Sequence, residues 1–175
     1  TGSNSSSPTN MTLIGNKVYF SANDGINGTE LWVTNGTPEG TTMVKDIYPG
    51  SSSSDVSDLI VFKDKLFFKA NNAATGYELW SSDGTSSGTT LFKDIRPGAD
   101  SSNHNYPIVL GDKLLFTADD GTNGYELWSS DGTPTGTTML KDIYTGSNWS
   151  SPESMMKIGD YVYFFANDAT TGSEP

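Results

Sequence analysis

"YELWSSDGTSSGTTLFKDIRPG" occupies residues 77–98, and "YELWSSDGTPTGTTMLKDIYTG" follows at 125–146. The two stretches start 48 residues apart, and the rest of the chain keeps that step. "ELW" begins at Glu30, Glu78 and Glu126, and "KDI" at Lys45, Lys93 and Lys141. Phe20, Phe68, Phe116 and Phe164 repeat the interval with no insertion or deletion. Self-similarity at a fixed period of about 20–50 residues marks solenoids, propellers or arrays. The 175 residues therefore divide into repeat 1 (1–48), repeat 2 (49–96), repeat 3 (97–144) and a partial repeat 4 (145–175).

Each repeat spells four strand-like runs. In repeat 2 they are "DLIVFKD" (58–64), "KLFFKAN" (65–71), "YELWSSD" (77–83) and "TTLFKDI" (89–95). Clusters of Gly, Asn, Asp and Ser bound them, as strand punctuation should. Val18, Phe20 and Ala22 alternate with Lys17, Tyr19 and Ser21, which gives the second strand a clear apolar face. The opposite face is only partly polar, because Phe67, Leu115 and Tyr163 also fall on it. A sheet with one wet face alternates more cleanly, so these sheets are expected to be covered on both sides. The fold class that follows is all-β: tandem four-stranded antiparallel repeats forming propeller-like blades, with a linear β array as the alternative.

Composition agrees and removes several function classes. Helix formers are scarce and no amphipathic helical period stands out. No run of about 18 apolar residues is available for direct membrane insertion. Cysteine is absent, which excludes disulfides, thiolate metal sites and cysteine nucleophiles. A net charge of −11 argues against nucleic acid as a partner, since phosphate backbones are bound by basic patches. Acidity, abundant Ser and Thr and no cysteine together fit a secreted or cell-surface protein.

The segment "GYELWSSDGTSSGTTLFKDIRPG" closely resembles the repeat named for its consensus, ELWxxDGT, which occurs in tandem in large secreted and surface proteins of bacteria. The whole chain falls in register with it. Repeat 1 departs by placing Asn35 where Asp83 and Asp131 stand, and repeat 4 reaches Pro175 where Leu127 would be. The resemblance implies a repeat architecture and an extracellular setting. It implies no ligand and no reaction.

The recurrent polar residues have structural and functional readings. Asp83 with Thr85, Asp131 with Thr133 and Asn35 with Thr37 are placed to cap their own turns by accepting backbone N–H groups two residues on. These segments also resemble the Asp-box hairpins of sialidase-type propellers. Trp32, Trp80 and Trp128 alternate with leucines, which predicts a tryptophan buried between neighbouring sheets. The sharper alternative makes each indole a stacking platform for a sugar ring, with Glu30, Glu78 or Glu126 accepting its hydroxyls. One such site per repeat would make a multivalent glycan-binding protein.

The loops "NDGINGTE" (23–30) and "DDGTNGYE" (119–126) gather oxygen atoms, so Asp24, Asp120 and Glu126 are calcium candidates, with calcium the one cofactor to consider. Repeat 2 has "NNAATGYE" there, with one acid, and turn formation also explains the pattern. His104 is the only histidine and faces Pro8, Val56 and Pro152 in the other copies, so no catalytic triad can be assembled. The acids recur in every copy, and none of the repeats is marked by a unique catalytic pair. An enzyme is therefore not expected. Asn4, Asn10, Asn27, Asn35 and Asn148 begin N-x-S/T sequons and permit glycosylation of an extracellular surface.

Fourteen strands are expected, three full sheets and the first half of a fourth. Tyr163, Phe164 and Phe165 would then lie on an incomplete sheet with an unpaired edge. Polar capping faces, which self-sufficient solenoids carry, are missing at both ends. The expected role is a non-enzymatic structural or adhesive module whose partners are other copies of itself or further repeats of a longer chain. The alternative is the multivalent glycan binder, whose partners are surface glycans.

Overall fold

The computed structural model describes residues 5–174 and is all-β, with no helix among them. Four antiparallel sheets follow one another along the chain, each inside one 48-residue repeat. Sheet 1 contains β1 (Thr9–Ile14), β2 (Lys17–Asn23), β3 (Thr29–Thr34) and β4 (Thr42–Lys45). Sheet 2 contains β5 (Ser57–Phe62), β6 (Lys65–Asn72), β7 (Gly76–Ser82) and β8 (Thr90–Lys93). Sheet 3 contains β9 (Asn105–Leu110), β10 (Lys113–Asp119), β11 (Tyr125–Ser130) and β12 (Thr138–Lys141). Sheet 4 contains β13 (Glu153–Ile158), β14 (Tyr161–Asn167) and β15 (Ser173–Glu174). Strand order within every sheet is sequential.

The short third strand of sheet 4 corrects the expectation of a bare strand pair. Ser173 and Glu174 are the register equivalents of Tyr125 and Glu126, and they pair with Asn167 and Ala166 as those pair with Asp119 and Ala118. A second feature absent from the sequence reading is a bulge in each first strand. Asn10, Asp58, Tyr106 and Ser154 occupy it with φ of 55°, 55°, 55° and 56°. A residue held in the left-handed region breaks the ladder and re-aims the chain that enters the sheet.

Burial follows the two faces of each sheet. Leu66, Phe68, Ala70 and Trp80 of sheet 2 pack against Tyr19, Leu31, Val33 and Ile47 of sheet 1. Phe62, Phe67, Leu79 and Ile95, on the other side of sheet 2, pack against Leu114, Phe116, Ala118 and Trp128 of sheet 3. Adjacent residues thus serve opposite neighbours: Trp80 faces the preceding sheet and Leu79 the following one. The strongest contacts between sheets run through the first strands, β1 against β5, β5 against β9 and β9 against β13. Open sheets stacked face to face along a common line of first strands are repeated blades, not a closed barrel.

Candidate functional site

The recurring acid of "ELW" lies at the junction between sheets. Glu30, Glu78 and Glu126 are each 0% exposed. They sit on the third strand with side chains turned into the segment that leads to the next sheet. The Glu30 carboxylate accepts the N–H of Ile47 at 2.9 Å, of Ser54 at 3.0 Å and of Tyr48 at 3.4 Å, and the Ser54 hydroxyl at 2.7 Å. Glu78 accepts the N–H groups of Ile95, Ser102 and Arg96 at 2.8, 2.8 and 3.3 Å. Glu126 accepts from Ile143, Ser150 and Tyr144, and from the Ser150 hydroxyl at 2.6 Å.

Each carboxylate therefore closes the loose connection between one sheet and the next, where the backbone has no ladder partner. Burial pushes the Glu78 carboxyl up to about 7 and raises Glu30, while the hydrogen bonds pull both the other way. The partner serines, Ser54, Ser102 and Ser150, were missed in the sequence. The available signal is a Glu–Ser pair 24 residues apart, present three times.

Carboxylates used up in this way have no face for a sugar hydroxyl, which corrects the glycan reading of Glu30, Glu78 and Glu126. Trp80 and Trp128 are buried between sheets, and Trp32 is half-buried on the outer face of sheet 1. Trp128 donates its indole N–H to the Ala118 carbonyl at 3.1 Å. Stacking on a sugar needs an open ring face, and Trp80 and Trp128 have none.

The "DGT" turns hold themselves. Asp83 accepts the Thr85 N–H at 2.9 Å and the Thr85 hydroxyl at 2.7 Å, and the Thr85 oxygen accepts the Gly88 N–H at 2.9 Å. Asp131 with Thr133, and Asn35 with Thr37, repeat the pattern. A Cβ at Gly88 would lie 2.0 Å from the Asp83 carboxylate, which would have to swing away from its Thr85 partners. The Thr85 hydroxyl and N–H hold Asp83 below the ordinary aspartate range, and Thr133 does the same for Asp131. Lysines of "KDI" reach these turns across the junction. Lys45 donates to the Thr89 carbonyl at 2.7 Å, and Lys93 to the Pro134 carbonyl at 3.1 Å.

Asp24 accepts the N–H groups of Ile26 and Asn27 at 2.9 and 2.8 Å, and Asp120 those of Thr122 and Asn123, both at 2.8 Å. Asn72 does the same work in repeat 2 without a charge. Glu126 meanwhile points into the buried junction, so the calcium candidates Asp24, Asp120 and Glu126 are not brought together. Among the described residues no group of three or more His, Cys, Asp or Glu is placed to hold a metal ion.

Of the sequon residues, Asn4 lies outside the described residues. Asn10 and Asn27 donate their side-chain amides to the Val56 carbonyl and to Asp24, and Asn35 is engaged in its turn. Asn148 is exposed.

The two end faces repeat the interior pattern without a covering sheet. Ile60, Phe62 and Phe67 of sheet 2 pack against sheet 3. Their equivalents on sheet 4, Met156, Ile158 and Tyr163, are 59%, 55% and 53% exposed. At the other end Met11 and Leu13 are exposed, where Leu59 packs into the junction of sheets 1 and 2 and Val109 into that of sheets 2 and 3.

No family model matches the chain, and no curated protein does. Among solved structures, the crystal structure of the computationally designed Ika8 protein aligns at 15% identity and a TM-score of 0.49, over 92% of this chain and 43% of that one. The chain thus spans less than half of that protein's length.

Proposed function

We propose that this chain is a non-enzymatic extracellular repeat module that builds surface structure or adhesive assemblies by stacking its end faces on further units of the same kind. Those units belong to a second copy of the chain or to additional repeats of a longer one. The observation that carries the reading is that the two end faces place apolar side chains at the register positions buried on the two sides of an interior junction. Met156, Ile158 and Tyr163 stand where Ile60, Phe62 and Phe67 are buried, and Val18, Phe20 and Trp32 stand where Leu66, Phe68 and Trp80 are buried. Exposed apolar patches of this kind mark interaction surfaces. A head-to-tail contact of unlike faces closes into a ring if its rotation closes and grows into a fibre if it does not. The resemblance to ELWxxDGT repeats supports the extracellular setting.

Light scattering and electron microscopy of the purified chain test the proposal. Rings or fibres are expected, and Ile158→Lys with Tyr163→Lys should return them to monomers that melt at nearly the wild-type temperature. A wild-type chain that stays monomeric at high concentration overturns self-association.

A further inference from the structure

Of the three junctions between sheets, the third differs from both others at two positions and from the second at one more, and the three positions meet in space. At the first two, the serine hydroxyls of Ser53 and Ser101 accept the backbone N–H groups of Thr29 and Tyr77, each at 3.0 Å. The equivalent residue at the third junction is Trp149, whose side chain cannot take that hydrogen bond. Its indole instead stands edge to face against Tyr125, with ring centroids 5.2 Å apart, and remains 56% exposed.

The second departure is in the bulge. Where Asp58 is found in sheet 2, sheet 3 has Tyr106, 51% exposed and held at φ 55°. Asn and Asp tolerate that backbone, whereas a bulky ring is uncommon in it.

At the third position the junctions differ among themselves, with Ser21 at the first, Lys69 at the second and Thr117 at the third. Lys69 of sheet 2 fills this position by pairing with Asp58 at 3.0 Å and donating to Asn105 at 2.7 Å. Its equivalent is Thr117, which leaves a cavity of about 210 Å³. The cavity is lined by Tyr106, Tyr125 and Trp149, with Ser151 and Glu153 among its polar wall.

The third junction gives up the serine–backbone hydrogen bond of the first two, places a bulky ring in the left-handed bulge and lacks the Lys69–Asp58 pair of the second, while Tyr106 and Trp149 are left facing water. We infer that the junction of sheets 3 and 4 is a binding site for a single neutral pyranose ring. The negative faces of indole and phenol attract the polarised C–H face of a sugar, and Glu153 and Ser151 supply acceptors for its hydroxyls. The cavity is smaller than the ~300 Å³ lower bound of pockets for drug-sized ligands, which limits it to one ring. The Glu153 carboxylate and the net charge of −11 disfavour acidic sugars. This site is separate from the end faces, so it stands or falls independently of assembly.

The test titrates the whole chain with the methyl glycosides of glucose, galactose, mannose and N-acetylglucosamine, with methyl glucuronide as the acidic arm. Indole fluorescence and the four indole N–H resonances are followed. Millimolar binding of at least one neutral glycoside is expected, with a shift of the Trp149 resonance and little response to the glucuronide.

Trp149→Ser restores the residue of Ser5, Ser53 and Ser101 and should weaken binding at least about tenfold while the fold is retained. Thr117→Lys should abolish it, because the new ammonium is placed to pair with Glu153 as Lys69 pairs with Asn105, filling the cavity. Absence of binding by all four neutral glycosides at about 20 mM, or binding unchanged in both variants, overturns the inference.

Discussion

Sheets 2 and 4 place apolar side chains at the same register positions, yet one is interior and the other is an end. Phe68 and Phe67 are buried on opposite faces of β6. Their counterparts on β14, Phe164 and Tyr163, are half-buried and exposed. At these positions the difference follows the neighbours: sheet 2 has a sheet against each face, and sheet 4 has one against a single face. A 48-residue unit acquires its stability from the sheets lying against it, as expected of quasi-one-dimensional folds.

Substitution at equivalent sites gives the largest contrast. Phe68→Ala should cost about 3–5 kcal/mol, measured by denaturant unfolding, whereas Phe164→Ala should cost well under half as much. Equal losses would mean that sheet 4 is as tightly held as sheet 2.

A second contrast concerns the buried carboxylates. Ser54→Ala removes the hydroxyl that donates to the buried Glu30 carboxylate at 2.7 Å and should cost about 1.5–3 kcal/mol, the range for hydrogen bonds to charged groups. Ser6→Ala, at the same register position before sheet 1, should change stability by less than about 0.5 kcal/mol.

The pH dependence sharpens the interior half of the comparison, because two buried groups of repeats 2 and 3 oppose each other. Burial raises Glu78 from 4.5 to about 7, so the stability tied to its neutral form is complete below 4.5 and is lost as pH rises through about 7. Burial, aided by Lys69, lowers His104 from 6.5 to about 3, so its contribution is complete above 6.5 and is lost as pH falls toward 3. Between pH 4.5 and 6.5 the two slopes, each at most about 1.4 kcal/mol per pH unit, cancel and the melting temperature should be nearly flat. His104→Val, the residue found at Val56, should uncover a decline with rising pH. Glu78→Gln should uncover a decline with falling pH.

The smallest effect is at the turns. Asp83→Asn should be nearly neutral, since Asn35 makes the same bonds in repeat 1. Asp83→Ala should cost about 1 kcal/mol, read from thermal melts.

The fold was legible because the 48-residue period and the alternation around Phe20, Phe68 and Phe116 are one-dimensional signals. The turns were legible for the same reason, since Asp83 and Thr85 are two residues apart. The junctions were not. Glu78 meets Ser102 across 24 residues, and Lys45 meets the Thr89 carbonyl across 44, so neither contact has a local signature. Side-chain chemistry suggested that glutamate and tryptophan recognise sugars. Their positions on central strands, buried on both faces, assign them to the interior instead. Trp149 escaped notice because its departure is visible only beside Ser53 and Ser101, and its meaning only beside Thr117 and Tyr106.

The reach of Lys45, Glu30 and their counterparts has a genetic consequence. Every such contact extends no further than the adjoining unit, and the units are of uniform length. Unequal crossing-over between two in-phase copies would therefore add or delete whole blades while keeping the glutamate contacts that recur at every junction. An insertion or deletion of even one residue inside a unit, by contrast, would shift the 24-residue Glu–Ser and 44-residue Lys–turn spacings on which those contacts depend.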